Sequence, residues 1–151
     1  MSHNITQKLQ GIQSSLKAPK GQTNRFGGYK YRSCEDILTA VKPLLAEWDC
    51  SLIISDEIVL VGNTTSEGRV YVKATASLLS NVSKDSISVS GFAREAESKK
   101  GMDEAQITGS ASSYARKYAL NGLFAIDDTK DPDATNDHGK SPSSAPAQAG
   151  F

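Results

Sequence analysis

The spacing of apolar positions changes along the chain, and each change marks an element. Between residues 2 and 17, Ile5, Leu9, Ile12 and Leu16 recur at steps of four, three and four. That spacing predicts an amphipathic helix needing a partner surface, in its own domain or on a neighbouring subunit. Residues 17–32, KAPKGQTNRFGGYKYR, lose the period, and Pro19, Gly21, Gly27 and Gly28 break regular structure. Ser33 then precedes Glu35 and Asp36 in the manner of a capping box. A second helix follows, with Ile37, Val41, Leu44, Leu45 and Trp48 on its apolar stripe and Pro43 expected to bend it. Trp48 shares the stripe and is read as core.

Period two then takes over. Residues 51–61 are β-branched and apolar. Residues 69–79 alternate, with Val70, Val72, Ala74, Ala76 and Leu78 against Arg69, Tyr71, Lys73 and Thr75. Residues 86–94 alternate less cleanly. The connectors GNTTSEG and NVSKD are short, which predicts antiparallel neighbours. A charged connection leads to the stretch around which the chain is organised, GMDEAQITGSASSYARKYALNGLFAI, residues 101–126. Asp103 and Glu104 place acid where a helix dipole favours it, and Asn121-Gly122 predicts the stop. Ala105, Gly109, Ala111, Ala115 and Ala119 form a small-residue face that another backbone can approach. With the stripe of the first helix, that face predicts apolar edge left over for further copies of the chain.

The fold class expected is α+β: an antiparallel three-stranded sheet packed on a long helix, in one domain over residues 1–126. Residues 127–151 collapse into Asp, Pro, Ser, Ala and Gln and are expected to be a disordered tail. Charge sharpens that division. Basic and acidic residues balance at 17 each, but the tail holds five acids against two lysines, which leaves +3 on the body. Cys34 and Cys50 have no metal-ligand spacing, and His3 and His138 add none, so a reduced intracellular protein is expected. There is no apolar run long enough to span a membrane.

The candidate chemistry is cationic and aromatic. Lys17, Lys20, Arg25, Lys30 and Arg32 fall between residues 17 and 32 without an acid, interleaved with Phe26, Tyr29 and Tyr31. Charges that track phosphates beside flat rings that stack on bases suit a single-stranded nucleic acid. The same residues also suit a solvated loop whose tyrosines cover the edge of the core. Arg116 and Lys117 lie between Tyr114 and Tyr118, which fits either a binding surface or an ordinary packed helix. Helical geometry puts Lys117 nearer the tyrosine face and Arg116 away from it, toward a neighbouring subunit or an acid such as Asp127 or Asp128; the alternative is that Arg116 holds the nucleic acid and Lys117 is merely solvated. Lys73 and Arg94 add charge to a sheet face that is otherwise simply wet. No phosphate loop, GxSxG, HExxH or CxxC occurs, and the adjacent acid pairs project to different faces. No catalytic residue, cofactor or metal is expected.

Two blocks carry a resemblance. The first is Tyr29-Lys30-Tyr31-Arg32 entering a helix. The second runs from Gly109-Ser110 through Ser113-Tyr114-Ala115-Arg116-Lys117-Tyr118-Ala119-Leu120 to Leu123-Phe124 and Asp127-Asp128. Over about residues 5–133 the chain resembles the ERF family, phage essential-recombination-function proteins that anneal complementary single strands without ATP. The resemblance implies an α-β-β-β-α core similar to the annealing domain of eukaryotic recombination mediators. It also implies a homo-oligomeric ring or filament, with single-stranded DNA as partner, in the cytoplasm of a bacterial host. An exonuclease or a host single-strand-binding protein is the protein partner considered. Under it, Lys20, Arg25, Lys30, Arg32, Arg116 and Lys117 neutralise phosphates, while Tyr29, Tyr31, Tyr114 and Tyr118 support bases or sugars. Lys73 and Arg94 extend the surface. The alternatives are a passive single-strand protector and a metal-dependent nuclease.

Residues 127–151 carry almost nothing to bury, so truncation after Asp133 should leave cooperative unfolding unchanged. A truncated chain that loses its sigmoidal urea transition would show the tail to be structural.

Overall fold

The computed structural model describes residues 2–24, 27–62, 68–96 and 102–126. The expected tail, with Asp127 and Asp128, lies outside the described residues, as do Arg25 and Phe26.

Helix α1, Ile5–Ser15, starts at Asn4, whose side chain accepts from Gln7 N while the Gln7 side chain accepts from Asn4 N. Helix α2, Cys34–Glu47, starts the same way at Ser33, with Asp36 reciprocating, as its sequence predicts. Between them the chain is not merely a loop. Strands β1, Gln22–Thr23, and β2, Lys30–Tyr31, pair antiparallel. Asn24 closes that hairpin by accepting from Gly27 N and donating to the Tyr29 hydroxyl, and Gly28 takes a left-handed φ of 67°. Two-residue strands are too short to show an alternation.

The main sheet matches expectation closely. Strands β3, Cys50–Val61, β4, Arg69–Ser80, and β5, Ser86–Arg94, form an antiparallel sheet in the order β3-β4-β5. On β4, Val72, Ala74, Ala76, Leu78 and Ser80 are buried toward the helices, while Tyr71, Lys73, Thr75 and Ser77 point to the open face. Register places Asp56, Ile58 and Leu60 of β3 and Gly91 and Ala93 of β5 on the covered face. On the open face, hydroxyl pairs Thr75–Ser90 and Ser77–Ser88 bridge strands at 2.9 and 2.7 Å.

Helix α3, Glu104–Phe124, lies on the covered face with Ala111, Ala115 and Ala119 turned inward. The C-terminal part of its small-residue face is therefore spent inside the chain, while Ala105 and Gly109 at the N-terminal end are exposed. The α1 stripe is also spent internally: Ile12 is fully buried, and Ile5, Leu9 and Leu16 pack on the core. Lys8 pins α1 to the end of β4, its buried amine 3.2 Å from Ser80 Oγ.

Asn121-Gly122 does not end α3, which runs on to Phe124 before Ala125 takes the left-handed turn. A helical glycine costs about 1 kcal/mol, whereas burying Leu123 and Phe124 stabilises by about 1.5–3 kcal/mol each. Burial wins. Gly122 instead lets α3 sit close to β5, since a Cβ there would stand 3.0 Å from Val89 Cγ1.

Gly91 is the tighter contact. A Cβ at Gly91 would meet Ala119 N at 2.5 Å and Ala115 O at 2.7 Å, both backbone atoms that no rotamer change can move. Gly91→Ala should destabilise the fold by about 1–3 kcal/mol. A urea midpoint at the wild-type value would mean that α3 shifts freely on the sheet.

Candidate functional site

Helix α3 has four sides, each set by the 100° step between residues. The alanines face the sheet. Ser112 and Arg116 reach one flank toward β3, Tyr114 and Tyr118 lie on the opposite flank beside β5, and Ser113 and Lys117 turn outward toward β2 and α2.

On the β3 flank, Arg116 Nε and Nη2 each donate to Asp56 at 3.1 Å, and Ser112 Oγ donates to the same carboxylate at 2.6 Å. A carboxylate partner for Arg116 was expected, but it is Asp56 of β3. An acid at this position, in the apolar phase with Ile54 and Ile58, is the sequence signal that a cation sits above it. Partial burial raises the Asp56 pKa. The hydrogen bonds from Arg116 and Ser112, with the guanidinium charge, outweigh that effect and hold it below its ordinary value.

On the outward side, Lys117 is only 3% exposed, with its ammonium 5.9 Å from the centre of the Tyr31 ring. It therefore does not join an exposed tyrosine face as helical geometry suggests; β2 and α2 close over it. Tyr31, Ser33, Cys34, Ser113, Tyr114 and Lys117 line a small cleft of about 180 Å³, with Arg32 and the carboxylate of Glu35 also at its wall. Arg32 is also buried and donates from Nε to the Ala18 carbonyl. Tyr29 stacks edge-on against Tyr31 at 6.5 Å, Lys30 between them is exposed, and Lys20 is half-buried. Burial pushes the thiols of Cys34 and Cys50 up, and both are free.

On the β5 flank, Tyr114 and Tyr118 are exposed, with their ring centres 6.3 Å apart. They line a groove of about 500 Å³ with Phe92, Arg94 and Met102. Lys73 lies on the open sheet face, 5.9 Å from the centre of the Phe92 ring.

The expected residues thus do not form one patch. Tyr31, Arg32, Tyr114 and Lys117 meet at the cleft, while Arg94, Tyr114 and Tyr118 meet at the groove, so Tyr114 belongs to both. Lys73 and Arg116 stand apart, and Arg25 lies outside the described residues. Phe92 was missed, although its outward phase between Gly91 and Ala93 was the signal. Among the described residues, no group of three or more His, Cys, Asp or Glu is placed to hold a metal. No described helix is long and apolar enough to cross a membrane.

The chain is similar to known proteins. The sequence profile of the ERF superfamily matches residues 5–149. The essential recombination function protein of Salmonella phage P22 is 56% identical over 148 residues, covering 98% of this chain and 67% of that protein.

The low pKa of Asp56 sets a pH dependence. Its folded value lies below the unfolded one, so its stabilisation is present above the unfolded Asp value of about 3.9. It is lost as pH falls through the folded value. Asp56→Asn should flatten, though not abolish, the loss of stability below about pH 5, since Asp36 is depressed too. Identical acid limbs in urea titrations of variant and wild type would show that the Arg116 pair contributes nothing.

Proposed function

The chain belongs to the ERF superfamily, and from that premise we propose that it serves phage recombination by binding single-stranded DNA and annealing complementary strands without ATP. One observation supports this above the others. The cleft sets an exposed ring, Tyr114, beside a second ring, Tyr31, that lies over a buried lysine. The cation attracts phosphate, and the rings accept a base or sugar of any sequence.

Annealing requires a strand held by its backbone with its base edges left to pair. No bond is broken, so no general acid, base or metal takes part. Lys30, exposed beside Tyr29 and Tyr31, extends the phosphate contacts along the β1–β2 hairpin. Arg32, Arg116 and Lys117 act from within: Arg32 and Arg116 hold the frame, and Lys117 supplies charge through the Tyr31 ring. The sheet and long helix correspond in this reading to the annealing domain of eukaryotic recombination mediators. One such cleft grips few nucleotides, and a homo-oligomer of many clefts binds jointly. The site of action is the cytoplasm of the bacterial host.

The test is a pairing assay with labelled complementary oligonucleotides and no nucleotide present. Pairing faster than the spontaneous rate is expected, and binding without acceleration would overturn annealing in favour of passive protection. Within that assay, Lys30→Ala should reduce the log–log salt slope of binding by about 0.7. Tyr114→Ala should weaken binding by about 1–3 kcal/mol, and Tyr114→Phe should bind as wild type. Unchanged affinity in Tyr114→Ala would remove the cleft from the strand path.

A further inference from the structure

We infer that the chain assembles head to tail, with β3 of one copy pairing along the outer edge of β5 of the next. The inference rests on the homo-oligomeric part of the reading above and supplies its interface. Among the described residues, the order β3-β4-β5 leaves both outer strands with an unpaired edge. Such edges are ordinarily blunted by proline, lysine, a bulge or shortness. β3 has no proline, lysine or bulge: it runs twelve residues, CSLIISDEIVLV, in unbroken register from Cys50↔Ser80 to Val61↔Arg69, and its inward-pointing charge, Asp56, is held by Arg116 of the same chain. It also exposes Ile53, Ile58, Leu60 and Val61, each more than half accessible.

The opposite edge has the complementary shape. Beside β5 runs the 500 Å³ groove, with Tyr118 overhanging from the helix side and Phe92 from the open face. A strand laid there presents Ile58 on the helix side, toward Tyr118, and Glu57 and Val59 on the open face beside Phe92, because side chains alternate between the two faces. Both β3 and β5 run antiparallel to β4, so the new pair is parallel and continues the sheet. Through β4, Glu57 is level with Phe92 and Val59 with Arg94. Continuing that register puts Glu57 of the second copy beside Phe92 and one pleat from Arg94, with opposite charges on the same face.

Charge also argues against the symmetric alternative. Pairing β3 with itself about a two-fold axis brings Asp56 and Glu57 of both copies together at the strand centre, and like charges opposite one another destabilise a sheet. A head-to-tail contact leaves one free edge at each end, so it propagates into a closed ring or an open filament. Arg94 and Tyr118 then serve subunit contact rather than the strand-binding cleft.

The test uses the full chain in light scattering at micromolar concentration, with circular dichroism and urea midpoints to check folding. Wild type is expected as a multimer. Ile58→Lys blocks the β3 edge and Phe92→Lys the β5 edge, and each alone should fall to the mass of one chain, 16.1 kDa. Mixed, they retain one intact edge of each kind and should form a species of twice that mass. Glu57→Arg and Arg94→Glu give an independent arm: each should weaken assembly, and the double variant should restore it. A single-chain wild type would overturn the inference, as would edge variants that still assemble. So would a folded mixture that stays at single-chain mass or a charge swap without rescue. The pairing assay decides the DNA reading separately: a multimer that does not anneal keeps the interface, and a monomer that anneals keeps the function.

Discussion

At Gly91 the backbone of α3 comes so near the sheet that a single added methyl group would collide with it. That close approach requires two things at once: glycine on the strand, and Ala111, Ala115 and Ala119 at a spacing of four on the helix. Once the alanine side is committed to the sheet, the 100° step leaves no freedom for the rest. Ser112 and Arg116 must reach toward β3, Tyr114 and Tyr118 must overhang β5, and Lys117 must face β2 and α2. Every feature of the candidate site is a consequence of one helix sitting deeply on one strand.

The same depth explains why Asp56 lies under Arg116. With α3 centred over β4 and β5, the covered face of β3 is beyond the reach of alanine, and Ala, Val or Leu on that helix flank would leave the strand half wet. A long guanidinium spans the distance and returns two parallel hydrogen bonds to one carboxylate, geometry that lysine cannot supply. The pair is partly exposed, so its contribution is orientation more than bulk stability.

Much of this was legible in the sequence. Alternation placed β4 with its phase, because one face is buried and a one-residue slip would invert every side chain; β3 showed only as an apolar, β-branched run, and β5 alternated less cleanly. The Ser33 cap was legible because its chemistry is local. The end of α3 was not, since Asn121-Gly122 is a stop signal only when the residues after it have nothing to bury, and Leu123 and Phe124 do. The fate of the cations was also hidden. Lys8, Arg32 and Lys117 look like surface charge in a list of residues, yet all three are buried. Their partners include a serine hydroxyl, backbone carbonyls and a tyrosine ring, and these carry no sequence signature.

Lys117 lies beside the Tyr31 ring at the wall of the cleft. Between an ammonium under a ring and an anion above it, the intervening medium is protein rather than water, so the attraction is screened less than at an exposed lysine. The ring also holds the charge at a fixed distance, whereas a solvated lysine spends rotamer entropy each time it makes a contact. A strand lying over Tyr31 would therefore meet attraction without a direct ion pair to break. Under the proposed annealing role, weak contacts from a preformed surface, summed over many copies, serve better than a few strong ones. In that proposal the cleft and the two sheet edges answer to a single requirement: one would keep each contact weak, and the other would make the contacts many.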